Sequence, residues 1–413
     1  MAIAKVTPDV EEPKVVTAPP HPLRERNFQL LFGGSAISLL GDQFYFVALP
    51  WLVLQQTGSA IAMGTVMMSG AIPRSVLMLM GGAVSDRTSP RRIMMMAAWA
   101  RAILVAALGV LISLHLLRTW HLYALAALFG TADAFDGPAE QAFIPFLVKS
   151  EQLVAAESVS GVSMQLATIF GPAPAGFIIK ALGIASAFFI DALSFLFIIV
   201  ALLLLPDPPA SQDTKKPILH SIWEGLQYVG KDIPLRSLML VALGINFCLT
   251  GPIGLGLAYV AKTKFGSPAM LGMMLSSVAA GVLGGVVLGG LWKVRRRGIM
   301  ILVVALVLSL LLSSLGMLNG RWAFPAVLFL MGISAGMANV QIGAWIMQRI
   351  DASVRGRVSS VLILGARGTM PISLALAGVL IAVGLKFMFL FAGSVLLLIT
   401  IAAATQKTVR QIQ

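Results

Sequence analysis

Twelve long apolar runs divide this chain, and they leave few folds open to it. With soft edges, the runs are residues 28–54, 61–84, 93–113, 121–145, 155–180, 184–205, 237–260, 269–292, 299–317, 322–347, 358–382 and 386–404. Each is close to the roughly 20 residues with which an α-helix crosses a bilayer core. Charged residues make up 11% of the chain, against about 25% in soluble domains. The sequence therefore predicts an all-α membrane protein with twelve transmembrane helices.

The apolar runs fall into two sets of six. The polar segment PDPPASQDTKKPILHSIWEGLQYVGKDIPLRS separates the sixth run from the seventh. We therefore expect two six-helix bundles related by pseudo-symmetry. The expected units are a disordered cytoplasmic leader (1–26), the first bundle (27–205), a cytoplasmic linker (206–236), the second bundle (237–404) and a cytoplasmic tail (405–413).

Glycines recur in the two halves at a constant offset of 208 residues. Gly58-Ser59, Gly64 and Gly81-Gly82 match Gly266-Ser267, Gly272 and Gly289-Gly290. Matches at a single offset across corresponding runs indicate an internal repeat. Parallel six-helix repeats are typical of secondary transporters, whose binding site lies between the halves near the bilayer midplane.

Positive charge is distributed unevenly between the two ends of the runs. If the N-terminus lies inside the cell, 21 of the 30 Lys and Arg residues fall in inside segments and six fall in outside loops. An excess of Lys and Arg marks the cytoplasmic side of a membrane protein. The sequence therefore predicts a multi-pass chain with both termini in the cytoplasm.

Several function classes are disfavoured by the composition. The net charge of +13 does not indicate a nucleic-acid partner, because the basic residues lie in loops between apolar runs. One cysteine, Cys248, and four scattered histidines offer no metal cluster. The sequence has neither a phosphate-binding Gly-rich loop ending in Lys-Ser or Lys-Thr nor a nucleophile elbow. We expect no enzymatic activity, no metal and no cofactor, with a proton gradient as the energy source.

The loop after the second run carries the most specific motif. It reads GGAVSDRTSPRR and resembles the loop motif of the major facilitator superfamily, Gly-x-x-x-Asp-Arg followed by a basic pair. The matching residues are Gly82, Asp86, Arg87, Arg91 and Arg92. The resemblance implies that this loop latches the cytoplasmic side in one conformation. Ser89-Pro90 departs from the family, which usually has Gly before the basic pair.

Further stretches narrow the resemblance. In the fifth run, Gly171, Pro172 and Gly176 resemble a motif associated with antiporters of this superfamily, although a simple packing kink would use the same residues. The stretches GDQFYFVALPWLVLQQTGSA, FDGPAEQAFIPFLVKSEQLVAAESV, IWEGLQYVGKDIPLRSL and ASVRGRVSSV resemble the branch that holds macrolide-efflux pumps and the enterobactin exporter. The resemblance spans residues 24–404 and implies an alternating-access transporter of the bacterial plasma (inner) membrane.

Charged residues inside the apolar runs are the main candidates for a mechanism. The fourth run, HLYALAALFGTADAFDGPAEQAF, places Asp133, Asp136 and Glu140 at i, i+3 and i+7, on one helical face. Other runs contain Asp42, Arg74, Arg101, Asp191 and Arg367. Each charge costs roughly 2.5–3.5 kcal/mol at a helix centre on insertion scales, so each should face the protein interior.

Depth along the helices predicts how these charges pair. At 1.5 Å per residue, Arg101 and Asp136 lie about 12 and 13 Å from the cytoplasmic ends of their runs, and Glu140 lies about 7 Å from its end. We expect Arg101 to pair with Asp136 or Glu140 and to leave Asp133 free to titrate. All three acids and Asp42 are candidates for proton coupling; the alternative is that the acids of the fourth run are structural.

The remaining intramembrane charges are harder to assign. Asp191 lies in the outer third of its run, where a structural role is expected. Arg74 and Arg367 either balance the acids or bind an anionic substrate. The sequence alone leaves both possibilities open.

These features predict a secondary transporter that exports hydrophobic or amphipathic small molecules, of drug, macrolide or siderophore type, by proton antiport. The expected partners are the substrate, H⁺ (with Na⁺ as the alternative) and the lipid bilayer, and the chain is expected to be a monomer. Two alternatives stay open. One is a lipid or lysolipid flippase, or an importer, on the same fold; the other is a non-transporting membrane receptor or scaffold.

Overall fold

The described part of the chain is helical. The computed structural model describes residues 21–208, 218–292, 296–350 and 355–411. Within these ranges, it does not describe the side chains of residues 79–87, 218–222, 347, 355–357 and 359–360. The described residues form helices and short turns, without a strand, and the predicted all-α class is confirmed. Most of the predicted leader and part of the predicted linker lie outside the described ranges.

Seven helices form the first half within residues 21–208. They are α1 (Arg26–Thr57), α2 (Ala60–Arg87), α3 (Pro90–Ser113), α4 (Thr119–Leu147), α5 (Leu153–Phe170), α6 (Pro172–Leu182) and α7 (Ile184–Leu204). Single turns of 3₁₀ helix lie at Pro22–Arg24 and Ser150–Gln152.

Among the described residues from 218 onwards, nine helices form the second half and its connections. They are α8 (Ile218–Lys231), α9 (Ile233–Gly251), α10 (Leu257–Thr263), α11 (Pro268–Leu291), α12 (Arg297–Ser314), α13 (Ala323–Arg349), α14 (Arg355–Val383), α15 (Leu385–Thr405) and α16 (Lys407–Arg410). A π-helical turn lies at Pro252–Gly256 and a 3₁₀ turn at Leu315–Met317. The sequence did not predict α8, which lies within the expected linker.

Twelve membrane crossings result, six in each half. Among the described residues, eleven helical segments are long and apolar enough to cross a bilayer. The remaining crossing is α4, which has 29 residues but carries the three acids of the fourth run. The twelve predicted runs each correspond to one crossing, with α5 and α6 forming the fifth and α9 and α10 the seventh.

Prolines account for the two crossings that are broken. Pro172 has no N–H group to donate to the preceding turn, so the fifth crossing is interrupted between Phe170 and Pro172. In the seventh crossing, Pro252 begins the π-helical turn, in which the N–H of Leu257 donates to the carbonyl of Pro252.

The two halves meet through two equivalent pairs of helices. Helix α2 packs against α14, and α5 and α6 pack against α11. A Cβ atom on Gly64 would lie 2.9 Å from the carbonyl oxygen of Leu374, and one on Gly272 would overlap the carbonyl group of Pro172. Gly64 and Gly272 are related by the 208-residue repeat. The repeat therefore places glycine where each half makes its close contact with the other.

Candidate functional site

Six charged side chains of the first half lie near the middle of their helices, and we call them the charged layer. They are Asp42 on α1, Arg74 on α2, Arg101 on α3, Asp133 and Asp136 on α4, and Asp191 on α7. Arg101 and Asp191 are buried, at 2% and 0% exposure, and Asp42 is 8% exposed. These six side chains come from five helices that the sequence separates by up to 149 positions, from Asp42 to Asp191.

Arg101 is the centre of the charged layer. Its Nη2 atom lies 2.7 Å from Oδ2 of Asp136, and its Nη1 atom lies 3.3 Å from Oδ1 of Asp133 and 3.8 Å from Oδ2 of Asp42. The guanidinium also stacks on Phe195 of α7, with its Cζ atom 4.7 Å from the ring centroid. Of the two partners that the sequence left open for Arg101, the structure selects Asp136.

Asp133 is bound by two arginines, and the expectation that it would be left unpaired was wrong. Besides its contact with Arg101, its Oδ2 atom lies 2.6 Å from Nε of Arg74. The reason is the close packing of α2 on α4, where a Cβ atom on Gly130 would overlap the backbone of Gly70. Arg74 and Asp133 each lie about one turn beyond these glycines, so their side chains meet.

Three acids of the layer keep carboxylate oxygens without a hydrogen-bond partner among the described residues. These are Oδ1 of Asp42, both Oδ1 and Oδ2 of Asp191, and Oδ2 of Asp133, which nevertheless lies 2.6 Å from Nε of Arg74. The only ion pair of Asp42 is the 3.8 Å contact with Arg101, within the part of the chain that the structure describes. Burial of a charged carboxylate without a close counter-charge is costly, so Asp42 and Asp191 differ from Asp133 and Asp136.

A small chamber lies directly beside Arg74 and Asp133. It has a volume of about 40 Å³ and is lined by Tyr45, Phe46, Leu49, Val66, Met67, Gly70, Ala71, Arg74, Ala126, Phe129, Gly130, Asp133, Met370 and Leu374. Met370 and Leu374 belong to α14, so the chamber is lined by both halves. Its walls are apolar and aromatic, and its charged floor is the pair of Arg74 and Asp133.

Glu140 lies outside the charged layer. It lines a separate cavity of about 250 Å³ between α1, α4 and α5, together with Ser35, Gln141, Glu157 and Ser160. Among the described side chains, no Lys or Arg forms an ion pair with it. Glu140 is therefore not the partner of Arg101.

The second half contributes polar groups without acids. A cavity of about 350 Å³ between α9 and α13 is lined by Asn246, Thr250 and Asn339 among apolar residues. Arg367 on α14 accepts a hydrogen bond at its backbone carbonyl from Ser75 Oγ, at 2.9 Å. No acid among the described residues lies within ion-pairing distance of its side chain.

The basic pair of the loop motif contacts the end of α7. Arg91 Nε donates to the carbonyl of Leu202 at 2.6 Å, and Arg92 Nε donates to Oδ2 of Asp207 at 2.9 Å. Asp207 also accepts a hydrogen bond from Ser89. These contacts lie within the first half. The other three residues of the loop motif are Gly82, Asp86 and Arg87. They lie within residues 79–87, whose side chains are not described.

The antiporter-type residues of the fifth crossing lie at contacts with other helices. A Cβ atom on Gly171 would overlap the side chain of Gln43 on α1, and one on Gly176 would overlap the carbonyl of Pro268 on α11. The carbonyl of Pro172 is the group that a Cβ atom on Gly272 of α11 would overlap. All three residues therefore permit close packing, which includes packing across the two halves.

The chain matches one family over nearly its whole length. The family model described as transmembrane secretion effector, of the major facilitator superfamily, matches residues 17–413. The protein therefore belongs to this family of multi-span membrane transporters. The predicted superfamily is confirmed.

Curated relatives support the efflux branch of the superfamily. The multidrug efflux pump Tap of Mycolicibacterium fortuitum is 28% identical over 386 residues, which cover 90% of this chain and 93% of Tap. Macrolide efflux protein A of Streptococcus pyogenes is 24% identical over 393 residues, which cover 93% of this chain and 97% of that protein. The predicted branch is thus confirmed as well.

A solved structure supports the fold. A variant of the nucleoside transporter NupG superimposes with a TM-score of 0.74 at 10% identity, covering 92% of this chain and 99% of NupG. At that identity the likeness shows the fold alone, which is two six-helix halves.

Proposed function

We propose that the protein is a secondary active transporter of the bacterial inner membrane that exports hydrophobic or amphipathic small molecules in exchange for protons. Both termini lie in the cytoplasm in this proposal, and transport proceeds by alternating access. The named activities of Tap and macrolide efflux protein A support drug-like or macrolide-like substrates.

The observation that carries the proposal is the Arg74–Asp133 pair on the floor of an apolar chamber between the halves. The chamber holds only about 40 Å³ in this conformation, so a drug-sized ligand would enter it once the two halves move apart. Its apolar and aromatic walls suit a hydrophobic ligand, and adaptable Met side chains such as Met67 and Met370 suit ligands of varied shape. A positively charged group on the ligand would compete with Arg74 for Asp133. Competition of this kind would link substrate binding to the charges of the layer.

The charged layer also has more acids than bases. Among the described residues, Asp42, Asp133, Asp136 and Asp191 have ion pairs with only two guanidinium groups, those of Arg74 and Arg101. Because buried carboxylates without a counter-charge are costly, protons bound to some of these acids would neutralise the excess. A layer that binds protons inside the membrane in this way would be suited to proton exchange.

Reconstituted liposomes loaded with a pH-sensitive dye test the proposal. With a proton gradient imposed, a hydrophobic cation or a macrolide should produce a substrate-dependent proton flux. Asp133→Asn should abolish this flux, while Glu151→Gln, a change of an exposed acid outside the helical crossings, should leave it intact. No flux with any compound of a panel of hydrophobic cations, macrolides and siderophores would refute proton antiport of such molecules.

One observation favours a second candidate, a flippase for lipid-like molecules. A groove of about 790 Å³ lies between α1 and α5 and is lined mostly by apolar residues, including Phe32, Leu40, Val162 and Phe170. Such a groove would accept an acyl chain. Transport of a fluorescent lysolipid without a proton gradient, and without flux of the drug panel, would favour this candidate.

A further inference from the structure

Asp191 is the one acid of the charged layer that has no contact with a base among the described residues. It is fully buried on α7, where it faces α1. A Cβ atom on Gly41 of α1 would lie 3.0 Å from its Oδ1 atom. Among the described residues, neither of its carboxylate oxygens has a hydrogen-bond partner, and the nearby Ser194 hydroxyl donates to the backbone carbonyl of Asp191. The next residue on α1 after Gly41 is Asp42, whose Oδ1 atom has no such partner in the described part of the chain either.

The neighbouring helices supply no further positive charge to Asp191. Helix α1 presents Asp42 and Tyr45; the Tyr45 ring packs on Phe188, which lies one turn before Asp191. Helix α3 presents Arg101, which stacks on Phe195, one turn after Asp191. The only titratable residue of α6 is Lys180, near the exposed end of that helix. Arg101 is therefore the nearest base, and it already contacts three other carboxylates.

Charge balance within the layer follows from these contacts. Arg101 and Arg74 compensate Asp136 and Asp133, to which they lie closest, at 2.7 and 2.6 Å. Asp42 has only the 3.8 Å contact with Arg101, and Asp191 has none among the described residues. The layer is electrically neutral when Asp133 and Asp136 are ionised and Asp42 and Asp191 are both protonated.

The packing of α1 on α7 favours protons over a metal ion as the neutralising charge. A Cβ atom on Gly41 would overlap the hydroxyl of Ser194, and one on Gly34 would lie 3.0 Å from Cα of Ile198. Ca²⁺ takes six to eight oxygen ligands, and Mg²⁺ takes six. Helices this close leave no room for such a shell, whereas a proton needs none.

We propose that Asp42 and Asp191, at the contact of α1 with α7, form the proton-binding site of this transporter, and that Arg101 links this site to Asp133 in the chamber. The inference deepens the proposed function and rests on it. The sequence offered Asp42 and the acids of α4 for this role. The structure places Asp133 and Asp136 closest to arginines, leaves Asp42 with only a 3.8 Å contact with Arg101, and gives Asp191 no arginine contact among the described residues.

Exchange follows from the neutrality of the layer. A cationic substrate beside Asp133 adds one positive charge and weakens the ion pair between Asp133 and Arg101. Arg101 then pairs with Asp42, whose O–H bond breaks and whose proton passes to the solvent. One cation has entered the layer and one proton has left it, so the charge is conserved, and Asp191 keeps its proton.

Counting the protons released on binding tests this assignment apart from transport. Tetraphenylphosphonium is titrated into the purified protein in buffers of different ionisation enthalpy, and the dependence of the measured heat on the buffer gives the proton number. Wild type should release about one proton per cation bound. Asp42→Asn resembles the protonated acid, so it should fold and bind the cation while releasing less than half as many protons. Asp191→Asn resembles an acid that keeps its proton throughout, so it should fold, bind the cation and release about as many protons as wild type. Glu151→Gln is the matched control and should behave as wild type.

The outcomes separate the two proposals. Cation binding by wild type without proton release would refute the proposed antiport. Proton release by wild type that persists in Asp42→Asn, or that is lost in Asp191→Asn, would leave antiport standing and overturn the assignment to this pair. If Asp191→Asn fails to fold, Asp42→Asn and Asp191→Glu carry the test, and Asp191→Glu should retain release. Binding of Mn²⁺ that Asp42→Asn abolishes would overturn the assignment in favour of a metal site.

Discussion

A single guanidinium joins α1, α3 and α4 in this protein. Arginine suits this position because its planar fork of donors can serve several carboxylates and stays charged when buried. In Arg101 this fork contacts Asp42, Asp133 and Asp136 and stacks on Phe195 at the same time. Lysine, with one compact ammonium group, could not satisfy these partners together.

Replacing Arg101 and Asp136 by alanine, singly and together, tests this network at the residue scale. Members of one salt-bridge network couple by roughly 0.5–3 kcal/mol, and we expect the upper part of that range because the pair is buried. Chemical unfolding in detergent micelles gives the free energies of unfolding. Strict additivity of the two changes would contradict the pairing.

The exposed pair of Arg92 and Asp207 is the matched control for that cycle. Its atoms lie 2.9 Å apart, but the side chain of Arg92 is 73% exposed. Exposed pairs contribute about 0.2–1 kcal/mol. Equal coupling in the two cycles would show that burial does not strengthen the contacts of Arg101.

Sequence reasoning reached some of these residues and missed others for a physical reason. Depth along a helix follows from counting residues, and this was enough to bring Arg101 and Asp136 together. Which faces of two helices meet does not follow from counting, so the contact of Arg74 with Asp133 was missed. Gly70 and Gly130, each about one turn before these residues, were the available signal of close packing. Asp191 was undervalued because nothing in its own helix shows what faces it.

At the scale of the elements, the contact of α11 with α6 requires glycine. A Cβ atom on Gly272 would overlap the backbone of Pro172, which cannot move aside as a side chain can. Overpacking costs about 1–3 kcal/mol, and 1.4 kcal/mol is about tenfold in an equilibrium. We expect Gly272→Ala to reduce the transport rate in liposomes by about tenfold or more.

Gly290→Ala is the control on the same helix. Nothing lies within 4 Å of the position of its added Cβ atom. Alanine is favoured over glycine by about 1 kcal/mol within a helix, so this change should leave transport intact and slightly raise stability. Equal loss of transport in both variants would mean that helix flexibility, rather than close contact, is what transport requires.

The connection between α2 and α3 is attached to the end of α7 by a pH-dependent contact. The hydrogen bond from Ser89, together with the contact with Arg92, lowers the pKa of Asp207. The stabilisation is therefore complete above the ordinary Asp pKa of about 3.9 and is lost as the pH falls through the lower value of the folded protein. The effect should stay below about 1 kcal/mol because the pair is exposed.

Thermal unfolding of Asp207→Asn against pH measures this contact. The variant should unfold at a lower temperature than wild type at pH 7, and the difference should shrink in acid, below about pH 4. A difference that stays constant across this range would mean that ionisation of Asp207 does not contribute.

The elements themselves were largely predictable, because a bilayer imposes helix length. Each predicted run corresponds to one crossing, with ends that differ by a few residues. Helix α8 was missed, since it is only 14 residues long and its residues, including Trp223 and Lys231, are mixed in polarity. The broken fifth crossing was anticipated from Gly171 and Pro172, whereas the π-helical turn at Pro252 was not.

For the whole molecule, the orientation in the membrane can be tested with single cysteines. The chain has one cysteine, Cys248, which is buried, so Cys248→Ala gives a background without thiols. Arg118→Cys and Glu151→Cys lie beyond opposite ends of α4. With cytoplasmic termini, a membrane-impermeant maleimide should label Arg118→Cys in intact cells and Glu151→Cys only in inverted vesicles. The reverse pattern would contradict the proposed orientation.

The two-half architecture was predictable from the sequence because duplication leaves a constant offset between equivalent positions. The role of that repeat was not. Only the structure shows that Gly64 contacts α14 while Gly272 contacts α6, so that one ancestral glycine serves both interfaces between the halves. A sequence repeat shows which positions of the two halves are equivalent, but it does not show which helix each position contacts.

The two halves share a fold but differ in their acidic residues. From residue 233 to the C-terminus the sequence contains one acid, Asp351, and it lies outside the predicted crossings, whereas the first half holds every carboxylate of the charged layer. The cavity of the second half is lined instead by Asn246, Thr250 and Asn339. The two halves of the repeat therefore differ in charge although they share a fold. Substitutions in the second half can change which substrate is accepted without altering the charged layer of the first half. Exchange of the second half between relatives should have the same effect.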